Sequence, residues 1–313
     1  MKFIPDHTNI DFLGRTRRNI AFVVSTLFVI ASIAAILTRG LDFGIDFTGG
    51  VLLEVGYPGT ADLEEIRTSL AAAGFDDAQV QRFGADTDVL VRLPPQGDIA
   101  PAALREQLQA TLAVDNQDVE LRRVELVSPQ IGRELTEDGA LAMLFATIMI
   151  FVYVMFRFQW KFAAGAVVAL VHDVVIVIGF FALFRLPFDL TIVAAILAVV
   201  GYSLNDTVVV FDRIRENFFK LRGSTATDAM NVSINETLSR TIMTGVTTLL
   251  VLVALLWFGG QSIAPFSIAL IAGILIGTFS SIYIASAVAL VINVSPQDLV
   301  EPVKDPELVD DLP

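Results

Sequence analysis

Six stretches of this chain are long and apolar enough to cross a bilayer: Ile20–Thr38, Ala140–Phe156, Phe162–Phe184, Thr191–Phe211, Thr241–Phe258 and Phe266–Ile292. A helical span needs about 20 apolar residues, within a range of roughly 17–25. The last stretch is longer, which predicts a tilted helix or one that starts outside the hydrocarbon. The six together predict a polytopic α-helical membrane protein. Composition agrees: hydrophobic residues make up 54% of the 313, charged residues 18%, and the mean hydropathy is +0.67. Soluble domains run nearer to about 45–50% and 25%. The absence of cysteine excludes disulfides, thiol nucleophiles and cysteine-held metals, and two histidines leave little for a histidine-rich centre. No metal and no cofactor is therefore expected. A net charge of −13 argues against nucleic acid as a partner. No Walker A, HExxH, GxSxG or EF-hand pattern occurs, so nothing points to an enzyme.

The first stretch follows Arg15, Arg17 and Arg18 but is too long for a signal-peptide core of roughly 7–15 residues, so it reads as a retained anchor. Twelve Lys and Arg residues fall on one side of the six spans, Lys2, Arg157, Lys161, Arg213, Arg215, Lys220, Arg222, Arg240 and Lys304 among them. The short opposite loops hold only Arg185. The positive-inside rule then puts both termini in the cytoplasm. The expected organisation is a cytoplasmic N-terminus (1–19), a first span (20–38), an outer α+β domain with its return segment (39–139), and five further spans (140–292). A cytoplasmic loop (212–240) divides those spans, and a disordered acidic cytoplasmic tail (293–313) follows them. The loop reads as two amphipathic helices along the membrane surface, with Thr225 and Asp228 as a start signal and Met230, Ile234 and Leu238 as an apolar stripe.

The outer segment has 19 acidic and 8 basic residues between Arg39 and Gly139. Long acidic domains cross regardless of charge. Its pattern alternates strand at Gly49–Tyr57, helix at Asp62–Ala73, strands at Gln79–Phe83 and Asp88–Leu93, helix at Ile99–Leu112 and strand at Val119–Val127. That order, β-α-β-β-α-β, is ferredoxin-like. It names no function.

Ionisable groups inside apolar spans are costly and are functional hypotheses by default. Asp206 sits about 8 Å inside the end of span four, at about 1.5 Å per residue. A carboxylate there carries a proton or an ion, or holds helices together as a structural ion pair. Arg240, at the start of span five, has the right depth to be its partner, or is a plain interfacial cation. Thr237, Thr241, Thr244 and Thr248 share one helical face, with Thr247 beside them. With Tyr202, Ser203 and Asn205 they line a polar path or simply close helix contacts. His172 and Asp173 lie about 15 Å deep in span three. They point different ways, as a relay pair or a buried hydrogen-bonded one. Gly273, Gly277 and Ser280 form a small-residue stripe read as helix packing, with a pore lining as the alternative.

Several segments carry a family resemblance. GIDFTGG (Gly44–Gly50, with Asp46, Phe47, Thr48, Gly49 and Gly50 at its centre), VSPQIGREL (Val127–Leu135) and VHD (Val171–Asp173) resemble the SecD/SecF family of accessory membrane subunits of the bacterial Sec translocase. GYSLNDTVVVFDRIREN (Gly201–Asn217), NETLSRTIMT (Asn235–Thr244) and SSIYIASA (Ser280–Ala287) resemble the SecF branch. The resemblance implies an RND-type fold in which these six helices form half of a twelve-helix unit completed by SecD. It implies a site in the inner (cytoplasmic) membrane and use of the proton-motive force to draw unfolded polypeptide out of the SecYEG channel. Asp206 and Arg240 fall on the family's critical positions, and a further aspartate would come from SecD. YajC and membrane lipid are further implied neighbours. An RND-type exporter half for lipid or small molecules, and a non-conducting scaffold, are the alternatives.

Overall fold

The computed structural model describes residues 8–96, 101–113, 119–221 and 223–295. Most of the expected acidic tail, with Lys2, Ile99, Arg222 and Lys304, lies outside the described residues.

The chain begins with helix α1 (Arg15–Arg39) and a short connector, strand β1 (Asp42–Phe43) and one turn of helix, α2 (Ile45–Thr48). An inserted domain follows: β2 (Gly50–Gly56), α3 (Leu63–Ala72), β3 (Gln79–Phe83), β4 (Ala85–Leu93), α4 (Pro101–Leu112) and β5 (Glu120–Val127). Its sheet order is β3-β4-β2-β5, and every pair is antiparallel. This is the ferredoxin-like arrangement that the element order predicts. Alternation does the folding. Val51, Leu53 and Val55 of β2 and Val89, Val91 and Leu93 of β4 turn one way, onto Ile66, Leu70, Leu104, Leu108 and Leu112 of the helices. Burying a side chain such as Leu53 contributes about 1.5–3 kcal/mol. Asp62 caps α3, accepting from the amides of Glu64 at 2.9 Å and Glu65 at 3.3 Å. The Tyr57 hydroxyl donates to the Leu112 carbonyl at 3.1 Å. Burial, then the Glu65 charge, pushes its pKa up to about 12, so it stays a donor. Strand β4 begins at Ala85 rather than Asp88, because β3 and β4 meet in a tight turn at Gly84, whose φ is +85°.

The membrane helices resume with α5 (Pro129–Arg157), α6 (Trp160–Phe184), a two-residue strand β6 (Pro187–Phe188), α7 (Leu190–Lys220) and α8 (Ala226–Phe258). The sixth span is composite: α9 (Ala264–Ser280), one π-helical turn (Ser281–Ala285) and α10 (Ser286–Val291). Among the described residues, six helical segments are thus long and apolar enough to span a bilayer. Helix α7 packs against α6, α8 and α9 near the middle of the bundle. Helices α5 and α8 leave wide apolar faces uncovered, with Leu144, Phe145, Met149 and Phe156 on one and Leu250, Val251, Trp257 and Phe258 on the other.

One expectation fails here. Residues 212–240 do not form separate helices on a membrane surface. They extend α7 and α8 past their apolar stretches as one antiparallel hairpin. No proline or glycine interrupts 202–220, so nothing ends the helix where its apolar run stops. Polar contacts zip the two extensions: Asn217 donates to Ser233 Oγ at 3.0 Å and Glu236 Oε2 at 2.6 Å, and Arg213 Nε to Glu236 at 2.6 Å. Met230, Ile234 and Leu238 point not at lipid but into a core with Ile214, Phe218 and Leu13.

The segment ahead of α1 is strapped to this hairpin. Asn235 reads both backbone groups of Ile10, accepting from its N–H at 2.9 Å and donating to its carbonyl at 2.8 Å. One turn earlier, Asn231 accepts from the Leu13 amide at 2.9 Å and donates to Asp11 at 2.7 Å. Leu13 is fully buried behind them. Replacing both asparagines with alanine removes the four hydrogen bonds to this segment, of about 0.5–1.5 kcal/mol each. The expected result is trypsin cleavage after Arg15 and Arg17 that the wild type resists, with the helical bundle intact by circular dichroism.

Candidate functional site

Asp206 lies in the middle of α7 and is 3% exposed. Among the described residues its Oδ2 is buried with no hydrogen-bond partner. Arg240 is the charge that acts on it, yet among the described residues no ion pair joins them, and the Arg240 side chain is exposed. Helices α7 and α8 run antiparallel, so one contact sets their register. The Tyr202 hydroxyl stands 3.8 Å from where a Cβ on Gly245 would be. One turn along, that register puts Asp206 opposite Thr241 and Arg240. Tyr202 OH and Thr241 Oγ1 are themselves buried without partners among the described residues. Three polar atoms left unpaired around one contact are costly, since each forfeits the desolvation of its group, about 1–3 kcal/mol. Such groups call for an explanation in function.

The other threonines behave differently. The hydroxyls of Thr237, Thr244 and Thr248 donate to carbonyls of their own helix, at 2.9–3.2 Å. Thr247 does the same on the exposed side. Asn205 is exposed, and among the described residues the site of a Cβ on Gly201 has no neighbour within 4 Å. That face of α7 is therefore open.

Asp173 is the counterpart of Asp206. It is 0% exposed, and both its oxygens are occupied. Oδ1 pairs with His172 Nδ1 at 2.9 Å; Oδ2 accepts from Ser203 Oγ and Ser280 Oγ, each at 2.7 Å. Side chains on α6, α7 and α9 thus meet on one carboxylate. Of the two readings of His172 and Asp173, the geometry is that of a buried hydrogen-bonded pair, although the two point different ways along the helix and Asp173 alone reaches α7 and α9. His172 Nε2 has no partner among the described residues and lines a cleft of about 580 Å³ between α1, α6 and α9. Ser281 opens the π turn and extends the network, donating to the Ser203 carbonyl at 3.2 Å and lying 2.9 Å from Thr207 Oγ1. Neither Thr207 nor Ser281 stood out in the sequence, although both are polar inside apolar runs, the signal that marks Asp206. The small stripe of α9 packs on α7: a Cβ on Gly273 would fall 2.1 Å from Val199 Cγ2, and one on Gly277 3.0 Å from Ser203 Cβ.

The GIDFTGG segment folds into the connector. Phe47 joins Phe43 and Phe188 in an aromatic cluster. Thr48 donates to the carbonyls of Gly44 and Gly49, at 3.2 and 3.0 Å. Gly49 has φ +71° and lies against Pro129, where a Cβ would be 2.9 Å from backbone; Gly50 has φ +122°. Asp46 accepts a hydrogen bond from the amide of Leu190, the first residue of α7, at 3.1 Å.

These features define a class: a multi-pass helical membrane protein with an α+β domain inserted after its first span and an isolated carboxylate in its central helix, the kind of group that marks ion pathways. Comparison with known proteins carries this further. The family model for the C-terminal part of the protein export membrane proteins SecD and SecF matches residues 107–295, and that for the SecD/SecF GG motif matches 34–57. The chain belongs to the SecD/SecF family. It is 48% identical to the protein translocase subunit SecF of Pseudomonas aeruginosa, over 97% of this chain and 98% of that one. It is 51% identical to the SecF subunit of Vibrio alginolyticus, over 90% of each. The crystal structure of SecDF, a translocon-associated membrane protein from Thermus thermophilus, superposes with a TM-score of 0.84 at 35% identity, over 93% of this chain. A super-membrane-facing form of SecDF gives 0.67. The chain spans 39% of the length of each of those SecDF chains.

Proposed function

We propose that the chain is the SecF-type subunit of a SecD–SecF complex that spends the proton-motive force on late steps of protein translocation through the SecYEG channel. The relatives named as translocase subunits support the role, and the SecDF chains, much longer than this one, support SecD as partner. So does the open face of α7. Asn205 and Arg240 are exposed at or near membrane depth in the isolated chain, and polar groups there face protein or a wet cavity rather than lipid. SecYEG, YajC, bilayer lipid and the moving polypeptide are the wider partners of this reading. Both termini lie in the cytoplasm and the inserted domain outside, by the distribution of Lys and Arg.

The observation that carries the mechanism is the buried, unpartnered oxygen of Asp206 opposite Thr241. Asp206 takes up a proton, and Arg240 senses the change of charge without a direct bond. Each loading and release shifts the packing of α7 against α8, as in alternating-access transporters. One proton crossing 100 mV supplies about 2.3 kcal/mol of electrical work. Tyr202 and Thr241 are the polar groups beside the carrier. His172 and Asp173 brace the bundle, since Asp173 has both oxygens engaged.

The test is ion flux into vesicles holding this chain with its SecD partner, wild type against Asp206→Asn, with proton and sodium gradients imposed separately. The variant is expected to assemble with SecD and carry no flux above that of empty vesicles. Equal flux in both would overturn the reading.

A further inference from the structure

The first four amides of a helix have no partner within it. In α7 three of them are satisfied by Asp189: its Oδ1 accepts from Thr191 at 2.9 Å and Ile192 at 3.2 Å, and its carbonyl from Ile192 at 3.1 Å and Val193 at 3.3 Å. The remaining amide, that of Leu190, goes to Asp46, which lies 144 residues earlier in the chain. A carboxylate at a helix N-terminus also meets the positive end of the helix dipole.

The segment that carries Asp46 is held on all sides. Strand β1 pairs in parallel with β6, and the Gly44 amide donates to Phe188 at 2.8 Å. Phe181 of α6 joins the aromatic cluster at 6.3 Å from Phe188. A Cβ on Gly132 of α5 would lie 2.8 Å from the Phe47 carbonyl, so α5 and α2 touch backbone to backbone. The chain enters the inserted domain at Gly50 and leaves it at Val127, two residues before α5 begins. Domain and bundle therefore meet at a closely packed joint here, apart from a lighter approach of the β3–β4 turn, where a Cβ on Gly84 would be 2.8 Å from the Gln261 side chain between α8 and α9, and the joint is bonded to the end of the helix that carries Asp206.

We infer that Asp46 is the positioning residue through which α7 moves the inserted domain: by accepting the Leu190 amide it fastens the joint to the carrier helix. The inference rests on the transport reading above. It assigns to the signature segment the transmission of motion rather than the handling of the ion. Asp46 sits at the end of α7 remote from the extension that follows Asp206, and its removal leaves the groups around Asp206 in place.

The experiment uses the complex with SecD in vesicles, with two readouts: ion flux and gradient-driven translocation of a precursor protein through added SecYEG. Asp46→Ala is expected to keep flux at the wild-type level and to lose the gradient-driven part of translocation. Asp46→Asn, whose amide oxygen accepts the same N–H, is expected to restore it. Loss of flux along with translocation in Asp46→Ala would overturn the inference, because Asp46 would then merely hold α7 in shape. Normal translocation in Asp46→Ala, or failure of Asp46→Asn to restore it, would overturn it too. Hydrogen exchange at the Leu190 amide reads the joint without any transport. It should quicken roughly ten- to a hundredfold in Asp46→Ala, as for loss of one charge-assisted hydrogen bond. Unchanged exchange sinks the joint while leaving the carrier reading intact. Absence of Asp206-dependent flux in the wild type sinks the carrier reading, and the coupling with it, even where exchange responds.

Discussion

Replacing Asp173 with alanine should destabilise the bundle more than any other single change to its polar core. The carboxylate accepts from His172, Ser203 and Ser280, which belong to three different helices. Removing it leaves His172 Nδ1 and Ser203 Oγ buried without a partner among the described residues, and Ser280 Oγ with only the Gly277 carbonyl of its own helix, at 3.1 Å. Taking away one member of a buried charged group costs about 3–5 kcal/mol in soluble proteins. Hydrogen bonds between membrane helices average about 0.6 and reach about 1.7 kcal/mol, which sets the expectation near the lower end, about 3 kcal/mol. The midpoint of thermal unfolding in detergent checks it. Asp173→Asn should recover part of the loss, since an amide oxygen still accepts and a serine hydroxyl turns to receive from the amide nitrogen. An unchanged midpoint in Asp173→Ala would mean that the three helices are held by apolar packing alone. The contrast with Asp206 gives the result wider meaning. Asp206→Asn removes a charge that has no hydrogen-bond partner at Oδ2, so it should leave the midpoint where it was or raise it. Two buried carboxylates on neighbouring helices are thus separable by stability: one is a brace, the other a load.

The second large effect is expected at Gly50. Its φ of +122° is open to glycine and strained for every L residue, and a Cβ there would stand 2.2 Å from the Leu93 carbonyl oxygen. The obstacle is backbone in the middle strands of the sheet, so no rotamer relieves it. Gly50→Ala should disrupt the start of β2, where Gly50 pairs with Val127 of β5 and Val51 with Leu93 of β4, and leave the inserted domain open to protease in the full chain. Gly40→Ala provides the control. Gly40 also has positive φ, +70°, but nothing lies within 4 Å of the added carbon. That change should cost only the strain of its backbone, since φ +70° with ψ −177° is a region that essentially only glycine adopts, about 1–3 kcal/mol, and leave the domain resistant. Equal proteolysis of the two variants would show that backbone conformation, not the crowding at Leu93, limits this position.

What the sequence reveals and what it hides follow from the range of the interactions. Strand alternation at Val51, Leu53 and Val55 is local, so the domain's topology is readable. A single Asp in an apolar run is local too, so Asp206 is readable by its cost alone. The partners of Asp173 are not: Ser203 is 30 residues away and Ser280 is 107. No spacing rule brings three helices to one carboxylate. The Asp46–Leu190 bond hides for the same reason, and the two-residue strands it accompanies are too short to leave a pattern. The helical extensions hide for a different reason. Loss of hydrophobicity after Phe211 marks the edge of the bilayer, not the end of a helix. Residues 212–220 remain good helix formers, and the neighbouring extension supplies the polar contacts that replace lipid. Arg240 stood at the right depth, but its separation from Asp206 depends on side-chain placement.

The π turn at Ser281–Ala285 lets one helix keep two appointments. A single extra residue in a turn advances the face of a helix by about 100°. Before the turn, the small residues Gly273 and Gly277 lie on Val199 and Ser203 of α7; from its last residue on, the helix lies against Gly165 of α6, where a Cβ would come within 2.6 Å of the Ala285 carbonyl and 3.6 Å of the Ala289 nitrogen. Without the added residue, a stripe aimed at α7 would continue along α7 and leave α6 facing larger side chains. The phase slip comes at the level of Ser280 and Ser281, whose hydroxyls reach Asp173 and the Ser203 carbonyl. Insertions and deletions in this span are therefore not interchangeable with substitutions: shortening it by one residue here would re-aim every side chain that follows, as a dropped beat displaces the rest of a bar.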